Sequence, residues 1–184
     1  VLKANGCVRH AAQPAGGLEA WRRPSRTTTR KTMQAKYLEE LSAGDTFLSP
    51  ARTITETDVV GFAGLSGDFN PIHTDVEFAR STVYGQRVVY GLLGLAILTG
   101  LLDRTGLFSG TAIAMLGIRD WQFRAPLFIG DTVHFRLTIT NVRRTSRGDR
   151  GVVERYFELL NQHDEVVQQG HIDIMVRARD AAAT

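Results

Sequence analysis

Val88-Val89-Tyr90-Gly91-Leu92-Leu93-Gly94-Leu95-Ala96-Ile97-Leu98-Thr99-Gly100-Leu101-Leu102 is the densest apolar stretch of the chain, and its reading decides the fold. It falls short of the ~20 apolar residues that cross a bilayer, and Gly91, Gly94 and Gly100 interrupt it, so it reads as a buried helix over roughly 91–104 and not as a membrane span. A helix that is apolar all round must be covered on several sides. What covers it is written in the residues that follow. Between Asp131 and Arg143 the alternation is strict, with Val133, Phe135, Leu137 and Ile139 on one face and Thr132, His134, Arg136, Thr138 and Thr140 on the other. That is the period of a half-buried strand. Gly151 to Asn161 and Glu165 to Arg177 continue it, with Asn161 to Asp164 as a tight connection, and in the last strand Ile172, Ile174 and Val176 lie opposite His171 and Asp173. Three long strands joined by short links predict an antiparallel meander. Ala112 to Phe123, closed by Pro126, is a further candidate strand. The expected fold class is α+β: one domain in which a curved antiparallel β-sheet is wrapped around a long central apolar helix.

Working toward the N-terminus, Asp75 is placed to cap a short helix through Ala79 and Arg80, and Gly67 to Thr74 reads as a loop. Thr55-Glu56-Thr57-Asp58 has the form of a capping box, which predicts a helix from about 56 to 66 ended by Gly67. Asp45 to Ile54 reads as one strand and Tyr37 to Gly44 as a short amphipathic or irregular lead-in. Residues 1–32 show no sustained hydrophobic period and are rich in Ala, Gly, Arg and Thr, so they are expected to form an unstructured extension ahead of a folded domain over 33–184. Read-through or tag sequence ahead of Met33 is favoured as their origin over a transit peptide. The expected location is cytoplasmic, or an organelle matrix if those residues are a native transit peptide.

Composition narrows the function. The chain has 184 residues, 43% apolar and 22% charged, which is normal for a globular protein. Its net charge of +3 invites a nucleic-acid reading. Seven basic residues and a single acid fall in 1–32, however, leaving 33–184 with 15 basic and 18 acidic residues. The domain is mildly acidic, and neither nucleic acid nor membrane is an expected partner. A lone Cys7 excludes a disulfide scaffold, and no Cys/His cluster has zinc-ligand spacing, so no metal site is expected.

The chemically dense segment is Ser66-Gly67-Asp68-Phe69-Asn70-Pro71-Ile72-His73-Thr74-Asp75. Pro71 fixes its own φ and pushes Asn70 toward an extended conformation, so the turn can aim Asp68 and His73 in defined directions. A carboxylate and an imidazole on one loop make a general acid/base pair, and Asn70 can hold the loop in shape. Asp, Asn and Pro are equally ordinary turn formers, and the residues alone leave both readings open. Gly91 opens the long helix, where unpaired N–H groups and the helix dipole favour a negative oxygen. Taken alone, Gly91 and Gly94 are better explained by close helix–sheet packing, and Thr99 by a hydroxyl bonded to its own helix backbone.

Asp68-x-Asn70-Pro71-x-His73-x-Asp75, followed by Ala79, Gly85 and the Gly91-Leu92-Leu93 helix start, resembles the MaoC-like hydratases, the (R)-specific enoyl-CoA hydratases. Phe123-x-x-Pro126-Leu127-x-x-Gly130-Asp131-x-Val133 is similar to the family's entry into its sheet meander, and the likeness covers about 37–178. The resemblance implies a hotdog fold and an Asp68/His73 dyad that activates water for addition to C3 of a trans-2-enoyl-CoA, giving a (3R)-hydroxyacyl-CoA, or the reverse dehydration. It further implies that the Gly91 amide stabilises the thioester enolate, that Asn70 braces the loop, and that Pro71, Tyr90, Leu92 and Thr99 line the pocket. No cofactor is implied beyond the CoA or acyl-carrier thioester that bears the substrate. The family usually has His before the helix-opening glycine, where this chain has Tyr90. A hotdog thioesterase and a non-catalytic acyl-CoA-binding module are the alternatives. A homodimer or higher homo-oligomer is expected, with Arg119, Arg124, Arg143, Arg144 and Arg147 as candidates for the CoA phosphates.

Overall fold

Val133, Phe135, Leu137 and Ile139 are each 0% exposed, so the alternation that predicts a half-buried strand is realised in full. In the computed structural model, which describes residues 34–179, that strand is the hub of the sheet. The expectation for residues 1–32 lies outside the described residues. The strands are β1 (Thr46–Leu48), β2 (Arg52–Thr53), β3 (Ala112–Phe123), β4 (Thr132–Arg144), β5 (Arg150–Leu160) and β6 (Val166–Arg177). The helices are α1 (Glu56–Ser66), α2 (Pro71–Thr74), α3 (Val76–Arg80) and α4 (Gly91–Thr105). The sheet runs β1-β4-β5-β6-β3, every pair antiparallel, with β2 on the start of β4. β4, β5 and β6 form the meander their short links require. This is the hotdog arrangement, with α4 laid on the inner face of the sheet.

The core forms where the inward rows meet α4. Leu93, Ile97, Leu98 and Leu101 of the helix are buried in one cluster with Phe135, Leu137, Phe157 and Ile172 of the strands. Full burial of a side chain such as Leu98 or Leu101 contributes roughly 1.5–3 kcal/mol, so this helix anchors the domain. The capping segment behaves as its residues dictate: the backbone N–H and the hydroxyl of Thr55 both donate to Asp58 Oδ2, and Gly67 closes α1 at φ 74°.

Three expectations are corrected. Asp45–Ile54 is not one strand: Pro50 offers no N–H to the ladder, and the chain breaks into β1 and β2 around it. Ser49 bridges the break, its N–H donating to Phe135 O and its hydroxyl accepting from Phe135 N. The Gly67–Thr74 loop contains one helical turn, α2, because Pro71 sits at its first position and Asn70 Oδ1 accepts the Ile72 N–H. Finally, α4 is not enclosed all round. Leu92, Ala96, Thr99 and Gly100 form an exposed stripe, and β3 at the sheet edge is exposed along most of its length.

Candidate active site

The segment between α1 and α3 is tied down residue by residue. Ser66 Oγ donates to Phe62 O and accepts the Asp68 N–H at 3.2 Å. Asp68 Oδ1 in turn accepts the Asn70 N–H at 3.1 Å. Asn70 caps α2, and its carbonyl receives the His73 N–H and the Thr74 hydroxyl. Asp75 Oδ1 then caps α3 through the N–H groups of Glu77 and Phe78. Four successive polar side chains thus leave the turn little freedom, and His73 leaves it in a fixed direction.

His73 is half-buried, with Nδ1 2.6 Å from Val88 O. A carbonyl only accepts, so Nδ1 is the donor, and in the neutral ring Nε2 carries the lone pair. The imidazole also lies against the Tyr90 ring at a centroid distance of 3.8 Å and an angle of 33°. Tyr90, 3% exposed, donates its hydroxyl to Asp68 O at 2.5 Å and touches Phe62 at 5.0 Å between ring centroids. Burial, and then the negative charge of Asp68, hold the phenol above its usual pKa, so it remains a donor. Among the described residues no hydrogen bond or ion pair joins Asp68 directly to His73. Tyr90 is the element between them, stacked on one and bonded to the backbone of the other.

His73 borders a cleft of about 620 Å³, a size suited to a small organic ligand. Gly91 and Leu92 at the start of α4 border it too, as do Phe123, Arg124 and Gln168. Gly91 is the first residue of α4, where an N–H has no acceptor in its own helix. The packing explanation for its glycine also holds: a Cβ there would sit 2.7 Å from the Phe123 ring, and one on Gly94 would overlap Gln168 Nε2 and touch Leu127 at 3.0 Å.

The expected site residues therefore divide. His73, Gly91 and Leu92 meet in the cleft, whereas Asp68, Asn70 and Pro71 belong to the exposed turn that carries His73, and Tyr90 is buried behind it. Thr99 is placed elsewhere: it is exposed, donates to Ala96 O within α4, and borders a separate cavity. Of the five arginines, only Arg124 borders the cleft. Arg119 pairs with Asp173 and Glu154, and Arg144 pairs with Glu39.

Gln168 escaped the sequence reading. It is 2% exposed, donates from Nε2 to Gly91 O at 3.0 Å, and accepts the Trp121 indole N–H at 3.3 Å on Oε1. The signal was present: Gln168 is in phase with Ile172, Ile174 and Val176, so it is a polar residue on an inward row.

Residues 40–160 match the family described as the MaoC like domain. The chain is 38% identical over 120 residues to Protein MaoC of Klebsiella aerogenes, covering 65% of this chain and 35% of that longer protein. It is 33% identical over 147 residues to the (R)-specific enoyl-CoA hydratase of Rhodospirillum rubrum, covering 78% of this chain and 93% of the relative. The crystal structure of the MaoC-like dehydratase from the same bacterium superposes with a TM-score of 0.72 at 30% identity, over 79% of this chain and 99% of the other. Hydratases and dehydratases alike are hydro-lyases. With the match spanning α1 to β5 and including the whole of the His73 turn and α4, the chain belongs to the MaoC-like domain family.

Proposed function

We propose that this protein hydrates trans-2-enoyl-CoA to (3R)-hydroxyacyl-CoA, or catalyses the reverse dehydration, with Asp68 and His73 as its acid/base pair. The observation that carries the proposal is the His73 ring, fixed by Val88 O and Tyr90 at the border of a cleft that also contains the N-terminus of α4. A water held between the two residues gives a proton to His73 Nε2, and its oxygen forms the new bond to C3. The C2–C3 double-bond electrons move onto the thioester as an enolate, which the Gly91 N–H stabilises. The proton taken from water passes from His73 through solvent to Asp68 and on to C2, which completes the addition and returns both residues to their starting state. The chemistry calls on no metal or redox cofactor, because the thioester carbonyl itself stabilises the carbanion. A positioned acid/base pair contributes roughly 10²–10⁴-fold, and one oxyanion donor about 3–4 kcal/mol. Asn70 braces the turn, and Arg124, which borders the cleft, would hold a CoA phosphate.

The exposed α4 stripe and the unpaired outer edge of β3 suit a homodimer in which that edge is covered by a second copy. Light scattering tests the dimer. Loss of the enoyl-thioester absorbance of crotonyl-CoA, with chiral analysis of the product, tests the reaction. His73→Ala and Asp68→Asn are expected each to lose at least about 10²-fold in kcat while their circular dichroism is unchanged. Undiminished hydration by either variant removes that residue from the mechanism. Release of free CoA thiol with the double bond intact favours a thioesterase instead.

A further inference from the structure

A second cavity, of about 320 Å³, lies beside the latter half of α4, away from His73. Leu102 of α4, Ile113 and Met115 of β3 and Ile174 of β6 make it apolar, and Thr99 contributes a hydroxyl. Arg155 of β5 forms part of the same wall. It occupies an inward position, in phase with Val153, Phe157 and Leu159, and is 1% exposed. Its Nε donates to Ile172 O at 2.8 Å, and its guanidinium carbon lies 5.0 Å from the ring centre of Phe108 and 5.1 Å from that of Phe157. Nη1 is buried with no hydrogen-bond partner among the described residues. Asp173 is the carboxylate whose charge acts on Arg155, but its side chain is bound by Arg119 Nε at 2.8 Å. A guanidinium is a planar fork of donors suited to a carboxylate, and a buried one left part-paired is destabilising.

The cavity is aligned with the cleft. Leu92, Ala96 and Thr99 fall at i, i+4 and i+7 on the exposed face of α4. Leu92 borders the cleft and Thr99 the cavity, seven residues apart and so about 10.5 Å along the axis at 1.5 Å per residue. An extended acyl chain of medium length covers that distance.

We propose that this cavity receives the far end of the acyl chain and that Arg155 holds a carboxylate there, so that the preferred substrates are enoyl thioesters with a second, terminal carboxylate. The proposal rests on the hydratase reading above, and its test keeps the two apart. Hydration of 2-octenoyl-CoA and 2-octenedioyl-CoA is compared on the full chain. The wild type is expected to favour the carboxyl-ended substrate at least about tenfold in kcat/KM, because a site built to bond a polar group rejects the analogue that lacks it. Arg155→Met, of similar length and apolar, is expected to erase or reverse the preference, and Arg155→Lys to keep part of it. If the wild type hydrates 2-octenoyl-CoA without preferring the carboxylate, or if the preference survives in Arg155→Met, the proposal is overturned and the hydratase reading stands. If neither thioester is hydrated, the hydratase reading fails. Calorimetric binding of suberyl-CoA against octanoyl-CoA, which needs no turnover, then decides the carboxylate site by the same comparison. A wild type without preference whose Arg155→Met variant loses its self-association shows instead that the guanidinium meets a group of a second copy, which also overturns the proposal.

Discussion

Replacing Tyr90 by Phe isolates a single atom. The ring that stacks on His73 at 3.8 Å and meets Phe62 at 5.0 Å stays, and only the hydroxyl bonded to Asp68 O is lost. A neutral hydrogen bond contributes about 0.5–1.5 kcal/mol net, and the full penalty of an orphaned acceptor does not apply, because Asp68 lies on an exposed turn that water can reach. A loss of about 1 kcal/mol lowers the Tm of a domain of this size by about 2–4 °C. The catalytic effect should be larger than the stability effect. The bond fixes the turn carrying Asp68, and misplacement by about 1 Å can cost on the order of 10²-fold. Asp68 is also held by Ser66 and Asn70, so a partial loss of roughly tenfold in kcat, with KM little changed, is expected. Tyr90→Ala, which removes the stacked ring as well, should fall toward the His73→Ala level. There is a pH signature too. The phenol's pKa is raised above the usual 10.0 by burial and by Asp68, so its contribution to stability is complete below that value and is lost as pH rises through the folded one. The alkaline decline in Tm should therefore be shallower in Tyr90→Phe. Hydration of crotonyl-CoA by stopped-flow absorbance and thermal unfolding by circular dichroism read both effects. A variant with lowered Tm and an unchanged kcat would refute the role of Tyr90 as the link between the turn and the imidazole.

Two further outcomes follow from the geometry. Gly94→Ala places a methyl group against Gln168 Nε2 and Leu127, so α4 must shift or Gln168 must leave Gly91 O; a loss of about 1–3 kcal/mol is expected in chemical denaturation, and Gly100→Ala, where a Cβ meets nothing within 4 Å, serves as the harmless control. Arg87 holds Glu56 through two hydrogen bonds of 2.8 and 2.5 Å, and this pairing lowers the carboxyl's pKa from its ordinary 4.5. The stabilisation is therefore present above 4.5 and lost as pH falls through the lowered value, so the Tm gap between wild type and Arg87→Gln should narrow in acid; a gap independent of pH would show that the pair contributes nothing through charge.

Legibility in the sequence followed the range of the interactions. β4, β5 and β6 could be read because each carries its own period, and α1 because Thr55, Asp58 and Gly67 are local signals acting within a turn or two. Pro50 and Pro71 are both visible in the sequence, yet what each does depends on its setting: the first splits a strand, and the second starts a helical turn. The edge position of β3 was not legible. Its residues do not alternate cleanly, and its partner β6 begins more than 40 residues after it ends, so no local pattern specifies the pairing. The Asp68–His73 turn was recognisable from its composition. Its fixation was not, because Tyr90 and Val88 reach it from 22 and 15 residues away.

Gln168 and Arg155 share a logic that joins the two cavities. Both stand on inward rows of adjacent strands where every aliphatic neighbour is buried, and both are at most 2% exposed. An apolar residue of similar volume at either position would avoid the cost of burying polar atoms, which for an ion is large: burial drops the Arg155 pKa to about 9. For Gln168 the compensation is visible within the chain, since Gly91 O accepts one hydrogen bond from it and the Trp121 indole N–H donates another to it at the entrance of α4. For Arg155 the carbonyl of Ile172, two phenyl rings and the charge of Asp173 compensate only in part, because that carboxylate is itself bonded to Arg119 and a carbonyl and ring faces do not neutralise a full charge. At neutral pH a pKa of about 9 leaves the guanidinium charged, and the uncompensated part is what the proposed carboxylate in the adjoining cavity would satisfy. On the proposed reading, the amide shapes the end of the site where the thioester would react, and the guanidinium would select among chains by what they carry at the other end.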